Sequence, residues 1–262
     1  MTSPNIKTTH AFTTRFGGVS SGIFSTLNLG LNLDDEPDNL KENYRRLCDA
    51  INISVDDIVF SNQVHEVHVR TVSDDECGKL FIPGKPQADG LVTDKPGVAL
   101  MVFIADCVPI LLHDSVARVI GAVHAGWRGT AYDIAGVAVK KMIVEFGCNP
   151  KNIHAAIGPC ISMCCYEVGN DVADAIKETL GGETLIAEQC IRHLTQTNGH
   201  DNEKYSVDLK MCNRLMLARA GVCDILMSDE CTCCSNDKYW SHRFTSGKRG
   251  SQVAIITTGC NQ

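Results

Sequence analysis

Ala105–Gly129 reads ADCVPILLHDSVARVIGAVHAGWRG, and its apolar runs and polar corners decide the fold. Cys107 follows one apolar run, VALMVFI (residues 98–104), and opens a second, VPILL. His124 closes a third, VIGAV, and is followed at once by the turn Ala125-Gly126-Trp127-Arg128-Gly129. None of these runs alternates with polar residues, which is the pattern of strands covered on both faces. From Thr130 to Phe146 the period changes, with Ala131, Ala135, Ala138, Met142 and Phe146 on one helical stripe. Strand, glycine-rich turn and helix together predict an α/β protein. We read residues 1–262 as a single domain, a central mixed β-sheet flanked by helices in a three-layer sandwich.

Outward from this unit, Asp89–Thr93 starts a further strand, and residues 9–16 form one that runs into Gly17-Gly18. Leu40, Tyr44, Leu47 and Ile51 recur at helical spacing behind Pro37, so residues 37–51 are a helix with proline in its first turn. Short strands are expected over 56–61 and 64–72. In the second, His65 shares a face with Val67 and Val69. Residues 153–157, 225–227 and 253–256 supply further strands, and 171–180 and 208–220 further helices. The stretch 181–204 reads as irregular and exposed. No linker and no repeat interrupts the pattern.

A chain of 262 residues with 44% hydrophobic and 21% charged residues has the composition of a soluble globular protein with a proper core. No apolar run approaches the roughly 18 residues of a membrane span. The first ten residues, MTSPNIKTTH, lack a signal-peptide pattern, so the expected compartment is the cytosol. The net charge of −7 argues against a nucleic-acid surface. It leaves room for a small anionic substrate held by a few local arginines. Fourteen cysteines in such a chain point to thiols or metal ligands rather than a disulfide framework.

A thiol and an imidazole at the ends of buried strands need one more ligand for an open metal site, and Asn62-Gln63-Val64-His65 offers it. His65, Cys107 and His124 are therefore expected to hold one Zn²⁺. Three protein ligands leave the fourth position for water or substrate, and such a site makes water a nucleophile near neutral pH. Asp106 and Gln63, each near a ligand in sequence, are candidates to orient ligands or substrate. Arg15 beside a glycine pair, and Arg128 at the start of a helix, suit an anion.

Other groupings stay open. Cys107 with His124 could be a nucleophile and its base, oriented by Asp106 or Asp114. Cys160 and Cys164 with Cys231, Cys233 and Cys234 could close a four-thiolate zinc site. Copper suits the same His and Cys ligands, but nine histidines without an HxH pair do not furnish a multicopper centre.

At these residues the chain resembles the laccase-domain, or polyphenol-oxidase-like, purine nucleoside phosphorylases. The resemblance rests on TTRFGGVSSGIFSTLNLG, NQVH, DGLVTDKPGVALMVFIADCVPILL, VIGAVHAGWRGT, AAIGPCISMCCYEVG, YSVDL and CTCC…SHR, in order over nearly the whole length. It implies a zinc held by His65, Cys107 and His124. It implies phosphorolysis of adenosine, inosine and S-methyl-5'-thioadenosine, with hydrolytic deamination of adenosine. The partners are then purine nucleosides and phosphate. Copper-dependent phenol oxidation and a Cys–His thiol hydrolase are the alternatives it carries.

On that reading Arg15, Arg128 and Arg243 are the phosphate candidates, since guanidinium grips oxyanions bidentately. Asp106 and Glu167 are the candidate carboxylates for deamination, and Trp127 and Phe16 the rings to stack on a purine. One departure stands out. Where the family pattern runs Ser-x-Arg-Arg and Gly-Arg-Gln, this chain has Ser241-His242-Arg243-Phe244 and Gly250-Ser251-Gln252. Two arginines are absent, and Lys248 or Arg249 is the nearest substitute.

Overall fold

The apolar runs on either side of Cys107 become neighbouring layers rather than neighbouring strands. The computed structural model describes residues 1–181, 188–194 and 203–258. One sheet has four strands: β1 (His10–Phe12), β2 (Ile58–Val59), β5 (Ala99–Ile104) and β13 (Gln252–Thr257), in the order β1-β13-β5-β2. A second has six: β3 (Val69–Thr71), β4 (Gly90–Thr93), β6 (Val108–Asp114), β7 (Val119–Ala125), β8 (Ile153–Ile157) and β12 (Asp224–Met227). Their order is β12-β8-β6-β7-β4-β3. Both sheets are mixed, with β2·β5, β3·β4 and β8·β12 parallel and the remaining pairs antiparallel. A small third sheet joins β9 (Glu167–Val168), β10 (Ile191–Leu194) and β11 (Lys204–Val207).

Period-two alternation inside the apolar runs explains the layering. In β5, Leu100, Val102 and Ile104 face one cluster while Ala99 and Met101 face another. In β6, Leu111 joins the first of these clusters, and Ile110 and Leu112 join a third. The shared cluster lies between the two large sheets, where Leu100 and Ile256 meet Leu111, Ile120 and Ala122. Outside the four-stranded sheet, α1 (Pro37–Ile51) lays Tyr44, Leu47 and Cys48 on Met101 and Ile255. Outside the six-stranded sheet, α3 (Ile134–Phe146) and α5 (Leu209–Arg219) cover Ile110, Leu112 and Val123. Further helices are α2 (Trp127–Ala131), α4 (Asn170–Thr179) and α6 (His242–Thr245).

The α/β class, with mixed sheets flanked by helices, is the expected one. Within it the strands divide into two stacked sheets, so four layers stand where three were expected. The central strands β4, β5, β6, β7 and β13 are buried on both faces, because each run is apolar on both sides and each side needs a cover. No helix among the described residues is long and apolar enough to cross a membrane.

Three local expectations are corrected. The helix expected over 130–146 breaks at Asp133, which takes a left-handed φ of 58° and caps α3 by accepting from the Gly136 N–H. His65 lies in a loop, not on a strand face, between an isolated bridge at Asn62 and the strand that begins at Val69. Part of 181–204 is ordered, with β10 pairing antiparallel to β11; residues 182–187 and 195–202 lie outside the described residues.

Candidate metal centre and its pocket

Antiparallel register brings the thiol to the imidazole. β6 and β7 pair Val108 with Ala125 and Pro109 with His124, so Cys107, one residue ahead of β6, lies beside the end of β7. The register between β4 and β7 sets Gly90 opposite Val123 and so delivers Asp89 to the same edge. The ligand atoms of His65, Cys107 and His124 all lie within 4.8 Å of one another.

Asp89 organises this centre. It is 1% exposed, and its carboxylate accepts four hydrogen bonds. His124 Nδ1 meets Oδ1 at 2.8 Å, which leaves Nε2 for a metal. The His65 N–H meets the same oxygen at 3.0 Å, and the Val64 and Glu66 N–H groups meet Oδ2 at 3.1 and 2.9 Å. Wrapped around the carboxylate in this way, the 64–66 backbone gives His65 a left-handed φ of 61°. The His65 and His124 rings meet edge to face with centroids 4.8 Å apart. Gly126 closes the circle: a Cβ there would sit 2.9 Å from His65 Nδ1 and 3.4 Å from Cys107 Sγ.

These donors fit a metal in charge as well as position. Burial pushes the Cys107 thiol up, but the charges and hydrogen bonds of His124 and His65 outweigh it and hold the thiol down to about 6. Burial lowers His124, while the Cys107 charge and the Asp89 hydrogen bond more than compensate and raise it to about 9. Thiolate is the form a soft divalent ion takes. In metal-free protein, iodoacetamide should therefore alkylate Cys107 at a rate that rises through pH 6 and is flat by pH 8. A rise centred near pH 9, as for an ordinary thiol, would contradict this electrostatic account. Bound metal should suppress the reaction.

A pocket of about 240 Å³ opens over the centre, lined by His65, Asp106, Cys107, Gly126, Trp127, Arg128, Ile161, Tyr166 and Leu209. A larger cleft of about 610 Å³ lies by α1, between Leu31 and Lys85, and contains none of these three side chains. Of the residues singled out in the sequence, Trp127 and Arg128 line the smaller pocket, with the exposed Arg128 guanidinium 4.2 Å over the Trp127 ring. Asp106 also lines it, but Oδ1 accepts from Thr232 Oγ1 at 2.6 Å, and Oδ2 accepts from Ser241 Oγ and the Arg243 N–H. Its carboxylate ties the chain ahead of Cys107 to the 232–243 segment.

The other candidates stand outside the pocket lining. Gln63 spends both ends of its amide on the Phe103 backbone and fixes the loop that carries His65. Arg15 donates to the Ser25 and Asn236 carbonyls and stacks at 4.0 Å on the buried Trp240. Glu167 is exposed, with Lys204 Nζ at 3.4 Å. Arg243 donates to the Cys165 and Glu167 carbonyls and lies 5.3 Å over Tyr166. Phe16 is 58% exposed.

Three neighbours were not singled out for the roles they take. Asp89 had one available signal, a carboxylate followed by glycine at the head of an apolar strand. Tyr166 lines the pocket, and burial together with the Cys107 charge holds its phenol protonated. Arg249 donates to the Gly250 carbonyl and Ser251 Oγ, while its buried Nε has no hydrogen-bond partner among the described residues. Burial lowers its pKa, and the charges of Asp106 and Cys107 pull the other way.

The sequence matches the model of the multi-copper polyphenol oxidoreductase laccase family over residues 9–259. A purine nucleoside phosphorylase of Deinococcus radiodurans is 40% identical over 257 residues, spanning 97% of this chain and 90% of its own. Purine nucleoside phosphorylase YlmD of Geobacillus stearothermophilus is 37% identical over 249 residues, 93% of this chain and 88% of its own. The crystal structure of YlmD from Geobacillus stearothermophilus superposes with a TM-score of 0.89 at 36% identity, covering 97% of this chain and 93% of the other. A Bacillus licheniformis hypothetical protein, YfiH, gives 0.87 at 34% identity, covering 95% and 91%.

Proposed function

Because this chain belongs to the multi-copper polyphenol oxidoreductase laccase family, and relatives matching nearly its full length are named purine nucleoside phosphorylases, we propose that it is a zinc-dependent purine nucleoside phosphorylase. Its substrates on this reading are adenosine, inosine and S-methyl-5'-thioadenosine with inorganic phosphate, and it also deaminates adenosine. The observation that carries the reading is the convergence of His65, Cys107 and His124 under a pocket rimmed by Arg128, Trp127 and Tyr166.

His65, Cys107 and His124 would hold the metal, with Asp89 fixing the His124 tautomer. Zinc bound by three ligands supplies a Lewis acid and activated water at neutral pH. The protein's own groups supply binding. Arg128 offers a planar, exposed guanidinium at the rim for the phosphate dianion. Trp127 is the apolar wall against which a purine rests, and the protonated Tyr166 phenol is a hydrogen-bond donor in the same space. Arg243 and Arg249 support this side, Arg243 by holding the Tyr166 loop and Arg249 through its unpartnered Nε. Asp106 is a positioning residue on this reading, because its three hydrogen bonds place the chain next to Cys107.

The same geometry has the order of a thiol–imidazole–carboxylate relay, Cys107–His124–Asp89, which is the basis of a second reading as a thiol hydrolase. That relay leaves His65 without a task, so the metal reading accounts for more of the site. Phosphate-dependent release of hypoxanthine from inosine tests the proposal, and release that is absent, or indifferent to phosphate, defeats it. Arg128→Ala should raise the KM for phosphate by about 10- to 100-fold, the value of a charged hydrogen bond, and the nucleoside KM much less. Equal effects on both KM values would remove Arg128 from the phosphate role.

A further inference from the structure

A second cluster of sulfurs lies outside the pocket. Cys164 and Cys165 follow β8, and Cys231 and Cys234 follow β12. Because β8 and β12 are parallel neighbours, their outgoing loops leave the same sheet edge side by side. The two loops are joined by an isolated backbone β-bridge at Cys160 and Cys231, both free thiols, and by the Thr232 N–H on the Cys160 carbonyl at 3.0 Å. The four sulfurs all lie within 4.8 Å of one another.

We propose that Cys164, Cys165, Cys231 and Cys234 form a closed four-thiolate site for a structural zinc ion, separate from the His65–Cys107–His124 centre. Four sulfurs each about 2.3 Å from one zinc stand about 3.8 Å apart along the edges of the tetrahedron. Cys234 Sγ lies 3.5 Å from Cys164 Sγ and 3.4 Å from Cys165 Sγ, close to that spacing and well beyond the roughly 2.05 Å of a disulfide. The CxxC turn supplies an independent observation. Cys231 Sγ accepts from the Ser162 N–H of the neighbouring loop at 3.3 Å. A backbone N–H on the sulfur stabilises its thiolate, as hydrogen bonds around a metal site do.

The set differs from the grouping first suggested by spacing. Cys160 is buried and directs its thiol to the Ile161 carbonyl, and Cys165 takes its place. On binding, the four thiols give up their protons as four Zn–S bonds form, with no change of oxidation state. The consequence is structural. The ion staples the loop that carries Ile161 and Tyr166 to the loop that carries Thr232, and these supply a pocket wall and a hydrogen bond to Asp106.

The test uses Co²⁺ in place of zinc, and no enzyme assay, so it stands apart from the functional reading. Cys107→Ala protein removes the thiolate of the first centre. Loaded with Co²⁺, it should bind about one tightly held ion per chain with thiolate-to-cobalt charge transfer and the visible bands of a tetrahedral thiolate site. Adding Cys164→Ser and Cys234→Ser should abolish those bands. Should that variant fail to fold, zinc analysis of the Cys107→Ala protein serves instead: about one equivalent supports the site and none overturns it. Cobalt without the thiolate bands, or a mass two hydrogens lighter that marks a disulfide among the four, overturns it as well.

Discussion

His124→Ala should lower kcat/KM for inosine phosphorolysis by about 10³-fold or more, because residues acting as one unit lose the unit's whole contribution when one is removed. The same variant should lose the metal of the first centre while its far-ultraviolet circular dichroism stays close to that of the parent. Two effects coincide at this position. On the proposed reading the imidazole is a ligand, and its Nδ1–H satisfies a carboxylate that is almost wholly buried. Cys107→Ser separates the two readings of the site. If Cys107 is a ligand, replacing a soft thiolate by a hydroxyl removes metal and activity together. If it is a nucleophile, metal is retained and activity alone is lost. Phosphorolysis surviving in His124→Ala at parental rate would exclude both.

Asp89→Asn should weaken metal binding by about 10- to 100-fold, the usual effect of altering a hydrogen-bond partner of a ligating histidine. It should also cost about 1–3 kcal/mol of folding stability, the price of a buried polar group left unmatched. Oδ1 accepts from His124 Nδ1 and the His65 N–H, and Oδ2 from the N–H groups of Val64 and Glu66. An amide has one acceptor oxygen, so either orientation sets an NH₂ group against N–H donors. If it faces Val64 and Glu66, the loop that places His65 is released. If it faces His124, the imidazole loses the partner that fixes its tautomer. Chelator competition measures the first effect and urea unfolding the second. Unchanged metal affinity would show that Asp89 serves the loop alone.

How far this site was legible depends on what each residue's position rests on. The α1 helix, Pro37–Ile51, was readable to the residue, since proline favours its first turn and the apolar spacing runs to Ile51. Cys107 and His124 were readable as strand ends because the flanking runs are long and wholly apolar. Their proximity was not, because it depends on the β6–β7 register, and apolar runs without alternation do not specify one. His65 was found for its chemistry and misplaced on a strand face. The alternation around it is genuine, but Asp89 captures three successive N–H groups and the backbone turns about the carboxylate instead of entering a ladder.

The arginines show the opposite failure. Arg15 and Arg243 have the right chemistry for an anion, yet their guanidiniums are engaged with backbone carbonyls. Nothing in a linear sequence distinguishes an engaged guanidinium from a free one. The division into two stacked sheets was likewise hidden, because burial on both faces reads alike whether the cover is a helix or another sheet.

The most direct measurement is anomalous diffraction at the zinc edge from crystals of protein purified without added metal. The account predicts a peak about 2.0–2.1 Å from a nitrogen of His65 and from His124 Nε2, about 2.3 Å from Cys107 Sγ, and bound by no fourth protein side chain. Metal-loaded crystals with no peak at that point, or with a fourth side chain closing the site, would contradict it.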